Sequence, residues 1–206
     1  MIRLLIVEDN LTISEALREY FSMQDEFKVI GVVTSVEEML KMPSREIDPD
    51  MVLLDIMLQG MSGIAGLPLL FRKWPDTKVV INSVLEENEI VYEALKGGAL
   101  GYITKDMPLS AIREALLIVN GGGSFMNARI ARQVVNYFQT ERSIKERLTD
   151  KEWSVAIGIK DGKSYKMIAA ENEMTLDGVR FYIQKIYRKL NINSRGQLAA
   201  IMNSPQ

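Results

Sequence analysis

Five chemically active side chains follow short apolar runs in the first part of the sequence. They are two adjacent acids, a third acid, a hydroxyl and an amine: Glu8, Asp9, Asp55, Ser83 and Lys105. Clustered carboxylates repel one another, and a hard cation such as Mg2+, which binds few protein oxygens plus water, relieves that repulsion. A carboxylate beside such a cation can attack a phosphorus centre, while an amine and a hydroxyl hold the transferred oxygens. The set predicts phosphoryl transfer to one of these carboxylates if the fold brings the five residues together.

Each of these residues also has a simpler explanation when it is taken singly. Asp9 has the position of a helix N-cap, Ser83 that of a turn residue, and Lys105 that of a solvated surface charge. An acidic pocket would also suit a small metal-dependent phosphohydrolase. A common site is favoured because all five residues follow the carboxyl ends of predicted strands.

Apolar runs and helical patterns alternate up to about residue 120, as is typical of strands buried on both faces of a parallel sheet. The runs are 4–7, 29–33, 51–54, 79–81 and 101–103, and the helical patterns are 11–23, 36–42, 64–73, 90–96 and 109–119. Five βα units in succession predict a doubly wound α/β domain, whose five-stranded sheet has the flavodoxin-like order 2-1-3-4-5. In that order the first and third strands flank the point where ligands bind, beyond the carboxyl ends.

Composition excludes several other kinds of site. The 206 residues include no cysteine and no histidine, which removes disulfides, thiolate nucleophiles and the usual zinc ligands. No apolar run approaches the roughly 20 residues that a membrane helix needs, and the N-terminus does not resemble a signal peptide. We therefore expect a cytoplasmic protein without a membrane partner. The acidic residues concentrate before residue 140 and the basic ones after it, with net charges of −6 and +4, which suggests two modules.

Residues 1–120 resemble the receiver domain of bacterial response regulators. The resemblance rests on Glu8-Asp9, on Asp55 followed by Gly60-Met61-Ser62-Gly63, and on Ser83, Tyr102 and Lys105-Asp106. It implies that a sensor histidine kinase phosphorylates Asp55. It further implies a Mg2+ ion held by Asp9, Asp55 and the backbone carbonyl of Met57 with help from Glu8, and a switch pair formed by Ser83 and Tyr102.

Three positions depart from the usual receiver pattern. Gln59 stands where proline is common, which predicts a looser loop after Asp55. Asn82 interrupts an apolar strand, and Ser83 replaces the more frequent threonine. None of these changes removes a group that the chemistry needs.

The segment 148–203 shows only helical patterns. Thr149-x-x-Glu152 has capping-box spacing, Ser164 and Thr175 have the positions of helix caps, and Ser194 begins a fourth helix. The third helix carries one apolar stripe, formed by Leu176, Val179, Ile183, Ile186 and Leu190. A short helix, a tight turn and a longer helix with a basic outer face suit a helix-turn-helix, and periodicity alone suits a protein-binding four-helix bundle equally well.

Further motifs resemble the effector domain of the LuxR/NarL class over about residues 148–202. They are Leu148-Thr149-x-x-Glu152, Ser164-x-Lys166-x-Ile168-Ala169 and Val179-Arg180-x-x-Ile183. The resemblance implies DNA contacts from residues that lie in the turn and on one helix face: Lys166, Thr175, Arg180, Phe181, Gln184, Lys185 and Arg188. Among them, Arg180, Phe181 and Gln184 would read bases, and Lys166, Lys185 and Arg188 would contact phosphates.

Gly178, Tyr182 and Asn172 depart from the usual effector-domain pattern. Gly178 replaces the usual threonine in the first turn of the third helix and lowers helix propensity there. Tyr182 replaces a common histidine, and Asn172 a usual apolar residue.

These inferences divide the chain into a receiver domain at 1–122, a helix and linker at 123–147, and a helix-turn-helix domain at 148–206. Within the middle part we expect a helix over about 128–138 and a polar, flexible linker at 139–147. The predicted function is that of a two-component response regulator. Phosphorylated on Asp55 by a histidine kinase, it would bind double-stranded promoter DNA as a homodimer and regulate transcription.

The alternative is a receiver whose helical output domain binds protein rather than DNA. In neither case is an enzyme expected, beyond magnesium-dependent self-phosphorylation and self-dephosphorylation at Asp55. One hypothesis for the control is that the unphosphorylated receiver masks the recognition helix or the dimerising fourth helix, and that phosphorylation releases it.

Overall fold

Strands and helices alternate from the N-terminus, and helices alone follow. The structure, a computed structural model, describes residues 1–43 and 47–203, with the backbone alone at 139–143 and 203. The strands are β1 (Ile2–Val7), β2 (Phe27–Val33), β3 (Met51–Leu54), β4 (Lys78–Ser83), β5 (Gly101–Thr104) and β6 (Phe125–Met126). The helices are α1 (Leu11–Ser22), α2 (Val36–Lys41), α3 (Gly63–Lys73), α4 (Asn88–Lys96), α5 (Leu109–Asn120), α6 (Ala128–Arg147), α7 (Asp150–Lys160), α8 (Tyr165–Glu171), α9 (Leu176–Leu190) and α10 (Arg195–Asn203).

The strands form one parallel sheet in the order β2-β1-β3-β4-β5-β6. The predicted order of the first five strands is confirmed. The sixth strand was not predicted, because two residues are too short to produce a period. It extends the sheet beyond β5 by pairing Phe125 with Gly101 and Met126 with Tyr102.

Both faces of the sheet are buried, as the continuous apolar runs predict. Along β1, Leu5 and Val7 face a core that includes α2, α3 and α4, whereas Leu4 and Ile6 face a core that includes α1 and α5. Alternate side chains of one strand point to opposite faces, so each strand contributes to both layers. The carboxyl ends of β1 and β3 therefore meet at one edge, between the two helical layers.

The chain divides into two compact units, Met1–Val134 and a second that begins at Val135. Helix α6 contributes to both, since Ile130 packs in a core of the first unit and Ile144 in the core of the second. The expectation of an irregular linker at 139–147 is wrong, because α6 continues to Arg147. That segment is polar, yet it lacks glycine and proline and is rich in Gln, Glu, Lys and Arg, which are good helix formers.

The second unit packs its helices around one apolar core. The stripe on α9 is buried at Val179, Ile183, Ile186 and Leu190. The predicted capping box of α7 is present: the Thr149 hydroxyl accepts from the Glu152 backbone, and the Glu152 carboxylate accepts from the Thr149 backbone. Helix α7 ends at Asp161, and Gly162 follows with a φ of 71°.

The loop after β3 packs against its neighbours without a proline at position 59. Glu37 of α2 accepts a hydrogen bond from the backbone N–H of Met61 at 2.9 Å. Gly60 has a φ of 82°, which a side chain rarely adopts. At Gly63 a Cβ atom would lie 2.1 Å from the backbone carbonyl oxygen of Asp55. The hydrogen bond to Glu37 and the close approach at Gly63 fix the loop against α2 and the Asp55 backbone.

Replacing Gly63 by alanine should destabilise the first unit by about 3 kcal/mol, since the backbone must move to accommodate the new methyl group. Thermal or denaturant unfolding of the variant measures this cost. Gly121→Ala is the matched control, because its Cβ would meet only ordinary contacts at 3.5 Å. Equal stability of the two variants would contradict the close approach.

Candidate functional site

Three carboxylates meet at the carboxyl edge of the sheet. Glu8, Asp9 and Asp55 each offer an oxygen within 4.8 Å of the others. The strand hydrogen bonds continue into this edge, where the backbone N–H of Asp55 donates to the carbonyl of Val7 at 2.9 Å. Glu8 and Asp55 are 1% and 2% exposed, so both charges sit inside the protein. The clustering expected from the sequence is therefore present for all three acids.

Lys105 lies between two of these carboxylates. Its Nζ is 2.8 Å from Asp55 Oδ2 and 2.6 Å from Glu8 Oε2. Burial raises the pKa of Glu8 against the opposing hydrogen bond from Lys105. Burial alone would lower the pKa of Lys105, but the hydrogen bonds to Asp55 and Glu8 outweigh it and raise that pKa. The ammonium group is thus held charged beside the phosphoacceptor candidate.

The donor set around Asp55 suits a hard divalent cation. The three acids together with Lys105 leave an excess of negative charge at a largely buried place. Asp55 Oδ1 accepts a hydrogen bond from the backbone N–H of Met57 at 3.2 Å, which brings that backbone to the pocket. Carboxylate and carbonyl oxygens with room for water are what Mg2+ prefers.

Ser83 and Tyr102 converge on the loop that follows β4. Both side chains are fully buried. The Ser83 hydroxyl accepts from the backbone N–H of Leu85 at 3.3 Å, and the Tyr102 hydroxyl donates to the Leu85 carbonyl at 2.7 Å. Burial raises the pKa of Tyr102, so this hydroxyl remains protonated. The backbone N–H of Lys105 also donates to the Ser83 carbonyl, at 3.1 Å.

Asn82 lies on the opposite face of β4 from Ser83. It is 3% exposed, and its Oδ1 has no hydrogen-bond partner among the described residues. The structure gives no physical account of an amide at this position.

The outer face of α9 presents the side chains predicted to contact DNA. Arg180, Phe181, Gln184, Lys185 and Arg188 are all exposed, as are Lys166 on α8 and Thr175 at the N-cap of α9. Phe181 is 53% exposed, and the Lys185 Nζ lies 4.6 Å above its ring. Arg180 pairs with Asp177 at 3.0 Å, an exposed contact that costs little to break. Every residue predicted to contact DNA is therefore accessible to solvent.

A surface cavity of about 440 Å³ adjoins the same face. It is lined by Thr149, Lys151, Glu152, Tyr182, Lys185, Arg188 and Lys189. Glu152 is buried, and its Oε2 lies 2.5 Å from the Lys189 Nζ. Burial alone would raise the pKa of Glu152, but hydrogen bonds from Lys189 and Thr149 lower it. Sequence patterns did not indicate Lys151, Tyr182 or Lys189, because a shared cavity becomes visible only when α7 and α9 are packed together.

Asn172 has a structural role at the end of α8. Its Nδ2 donates to the Ile168 carbonyl at 2.9 Å, and its Oδ1 accepts from the Ser154 hydroxyl of α7. The amide therefore joins two helices where an apolar side chain is usual.

Two family comparisons cover both units. The family described as "Response regulator receiver domain" matches residues 4–117, and the family described as "Bacterial regulatory proteins, luxR family" matches residues 146–202. This chain belongs to the LuxR/NarL class of response regulators, with a receiver domain followed by a LuxR-type DNA-binding domain. It is a transcription regulator of the two-component type.

Curated relatives match almost the whole chain. Response regulator GacA of Pseudomonas viridiflava is 31% identical over 204 residues, covering 98% of this chain and 95% of GacA. Transcriptional regulatory protein LnrK of Bacillus subtilis is 28% identical over 210 residues, covering 97% of this chain and 95% of LnrK.

Solved structures share the fold at lower identity. A LuxR-family response regulator from Aurantimonas sp. covers 68% of this chain and 99% of its own, with a TM-score of 0.62 and 22% identity. RcsB from Salmonella enterica serovar Typhimurium, bound to a promoter in the presence of phosphomimetic BeF3-, covers 98% of each chain, with a TM-score of 0.64 and 16% identity. Within residues 1–43 and 47–203, no helix has the length and apolar character needed to cross a membrane.

Replacing Gly178 by alanine should stabilise the second unit by about 0.5–1 kcal/mol, because glycine inside a helix has an entropic cost. A Cβ at this position would meet nothing closer than 3.4 Å. Thermal unfolding of the variant measures the gain. Gly158→Ala is the contrast, since its Cβ would lie 2.7 Å from Ile168 and should destabilise. A lower melting temperature for Gly178→Ala would refute the argument.

Proposed function

We propose that Asp55 accepts a phosphoryl group from a sensor histidine kinase and that the phosphorylated protein binds promoter DNA as a homodimer. One observation carries the first part: a buried carboxylate has Lys105 on one oxygen and the Met57 backbone on the other. Two further acids lie within 4.8 Å of it. This is what an aspartyl phosphoacceptor with a cation site requires.

In the proposed reaction an Asp55 oxygen attacks phosphorus, an O–P bond forms, and the N–P bond to the kinase histidine breaks. The Lys105 ammonium then exchanges its hydrogen bond to Asp55 Oδ2 for one to the phosphoryl oxygens, because these carry the negative charge after the transfer. The Ser83 hydroxyl oxygen accepts from Leu85, which leaves its hydrogen available to donate to a phosphoryl oxygen. Ser83 is thereby suited to draw the loop after β4 towards Asp55.

Glu8, Asp9, Asp55 and the Met57 carbonyl would hold Mg2+ at this edge. When bound, Mg2+ neutralises charge as the carboxylate approaches the phosphoryl group. The same groups would support self-phosphorylation from small donors and slow self-dephosphorylation, which are the only reactions proposed for this chain.

For the output, we propose that α9 enters the major groove. Arg180 would pair with guanine, Gln184 with adenine, and Phe181 would touch a thymine methyl group. Lys166, Thr175, Lys185 and Arg188 would contact the backbone, and the cavity between α7 and α9 adds Lys151 to that set. The homodimer is supported by RcsB, of which one structure holds two dimers bound to two parallel DNAs.

Gel shifts test whether phosphorylation controls DNA binding. They use a DNA site selected from a random pool, with and without acetyl phosphate and Mg2+. The phosphodonor should increase the DNA affinity of the wild type and leave the DNA affinity of Asp55→Asn unchanged, because an amide cannot form the acyl phosphate. Equal affinity in all four conditions would refute control through Asp55.

Lys151→Ala should weaken DNA binding uniformly across sequences and reduce the slope of log K against log salt by about 0.9, the value of one phosphate contact. Lys145→Ala, on α6 and outside the cavity, is the charge-matched control. Titrations at several salt concentrations measure both slopes. An unchanged slope for Lys151→Ala would exclude the cavity from the DNA interface, and a flat slope for the wild type would favour an output that binds protein.

A further inference from the structure

Arg129 in the first turn of α6 contacts two loops of the phosphorylation site at once. Its guanidinium lies 2.8 Å from Glu86 Oε1 and 2.9 Å from Asp106 Oδ2. The same group lies 3.4 Å from the Thr104 hydroxyl. One side chain of the helix thus bridges the loop after β4 and the loop after β5.

The loop after β4 directly follows Ser83, and the loop after β5 carries Lys105, the two groups that would hold the phosphoryl oxygens. Glu86 adjoins Leu85, whose backbone binds the hydroxyls of both Ser83 and Tyr102. Asp106 directly follows Lys105 in sequence. The orientation of the Ser83 hydroxyl and of the Lys105 ammonium therefore depends on where the two loops are held.

The backbone around Arg129 is fixed to the sheet on both sides. Before it, Met126 pairs with Tyr102 in the ladder between β6 and β5. Asn127 donates from Nδ2 to the Thr104 hydroxyl at 3.1 Å and accepts from the backbone N–H of Ile130 at 2.9 Å. After it, Ile130 is fully buried. Arg129 therefore projects from a position that is anchored to the sheet.

The bridge places a positive charge between two carboxylates. Without a cation between them, Glu86 and Asp106 would face each other as two negative charges beside a site that gains further negative charge. Hydrogen bonds from Thr104 and Arg129 lower the pKa of Asp106, so it is ionised at neutral pH. The contacts to Glu86, Asp106 and Thr104 all use the Nη2 atom of Arg129, which places its positive charge between the two carboxylates.

We propose that Arg129 is a positioning residue for phosphorylation of Asp55, acting by clamping the loop that directly follows Ser83 and the loop that carries Lys105. This inference rests on the proposed role of Asp55. It makes the chemistry at the sheet edge sensitive to the first turn of α6, the helix whose later residue Ile144 packs in the core of the second unit.

The test compares Arg129→Ala with Arg132→Ala in the full chain. Arg132 lies on the same helix, is exposed, and makes no ion pair among the residues that the structure describes. The rate of phosphoryl incorporation from acetyl phosphate with Mg2+ should fall about 2- to 5-fold in Arg129→Ala, at the upper range of exposed ion pairs. Arg132→Ala should stay close to the wild-type rate. Equal rates for the two variants would overturn the proposal.

Two further variants separate positioning from loss of folding. Arg129→Lys should recover part of the rate, because an ammonium still pairs with one carboxylate. Glu86→Gln should slow incorporation, and combining it with Arg129→Ala should add little, since both remove the same contact. Fully additive effects would mean that Arg129 does not act through Glu86.

Amide hydrogen exchange distinguishes failure of this proposal from failure of the proposed function. Exchange at residues 84–88 should accelerate in Arg129→Ala and stay unchanged in Arg132→Ala, whether or not Asp55 is phosphorylated. Unchanged exchange would refute the clamp. Incorporation into Asp55→Asn equal to wild type would instead refute Asp55 as the acceptor, and the exchange result would still decide whether the clamp exists.

Discussion

A buried ammonium lies between two buried carboxylates at the carboxyl edge of the sheet, and much of the first unit serves to keep these charges together. Lys105 follows β5, whereas Asp55 and Glu8 follow β3 and β1, so the lysine must span the position of β4. Removing one partner of a buried ion pair typically costs about 3–5 kcal/mol, because the remaining charge is left without compensation. The strand order, the strand lengths and the loop after β3 must all agree for this contact to form.

The same contact explains how the pocket could respond to a new charge. A phosphoryl group on Asp55 would take over the lysine and create acceptors that the Ser83 hydroxyl can reach. Moving a two-state equilibrium from 1:99 to 99:1 requires about 5.5 kcal/mol of differential stabilisation. Charge-assisted hydrogen bonds formed in only one state are the kind of interaction that can supply it. The loop after β4, bound by Tyr102 and Arg129, is the element on which such a difference would act.

The second unit is built on a different principle. Its helices are short, and each is stabilised by a cap and by one apolar face rather than by a ladder of strands. The pair of Glu152 and Lys189 joins the start of α7 to the end of α9. The face of α9 that is not buried in the core presents exposed polar and basic side chains, among them Gln184, Lys185 and Arg188. Asn172 makes the corresponding connection between α8 and α7 with an amide.

Sequence alone determined features that depend on local periodicity and on chain order. The five apolar runs, the acids that follow them and the stripe on α9 were all predicted, because parallel strands share one carboxyl edge and a helix has a fixed period. Two elements were not predicted from sequence patterns. Strand β6 has only two residues, which is too short for a period, and the polar end of α6 resembled a linker although its residues favour a helix.

Tertiary structure alone decided which distant side chains touch. Glu37 holds the loop after Asp55, Lys151 joins a cavity with α9, and Arg129 spans Glu86 and Asp106. Each of these residues is an ordinary surface charge in the sequence, since nothing in its neighbours records a partner many residues away. The acids of the pocket could be predicted from the sequence because the order of the strands brings them together. Contacts between side chains of separate loops and helices depend on packing angles that only the folded chain defines.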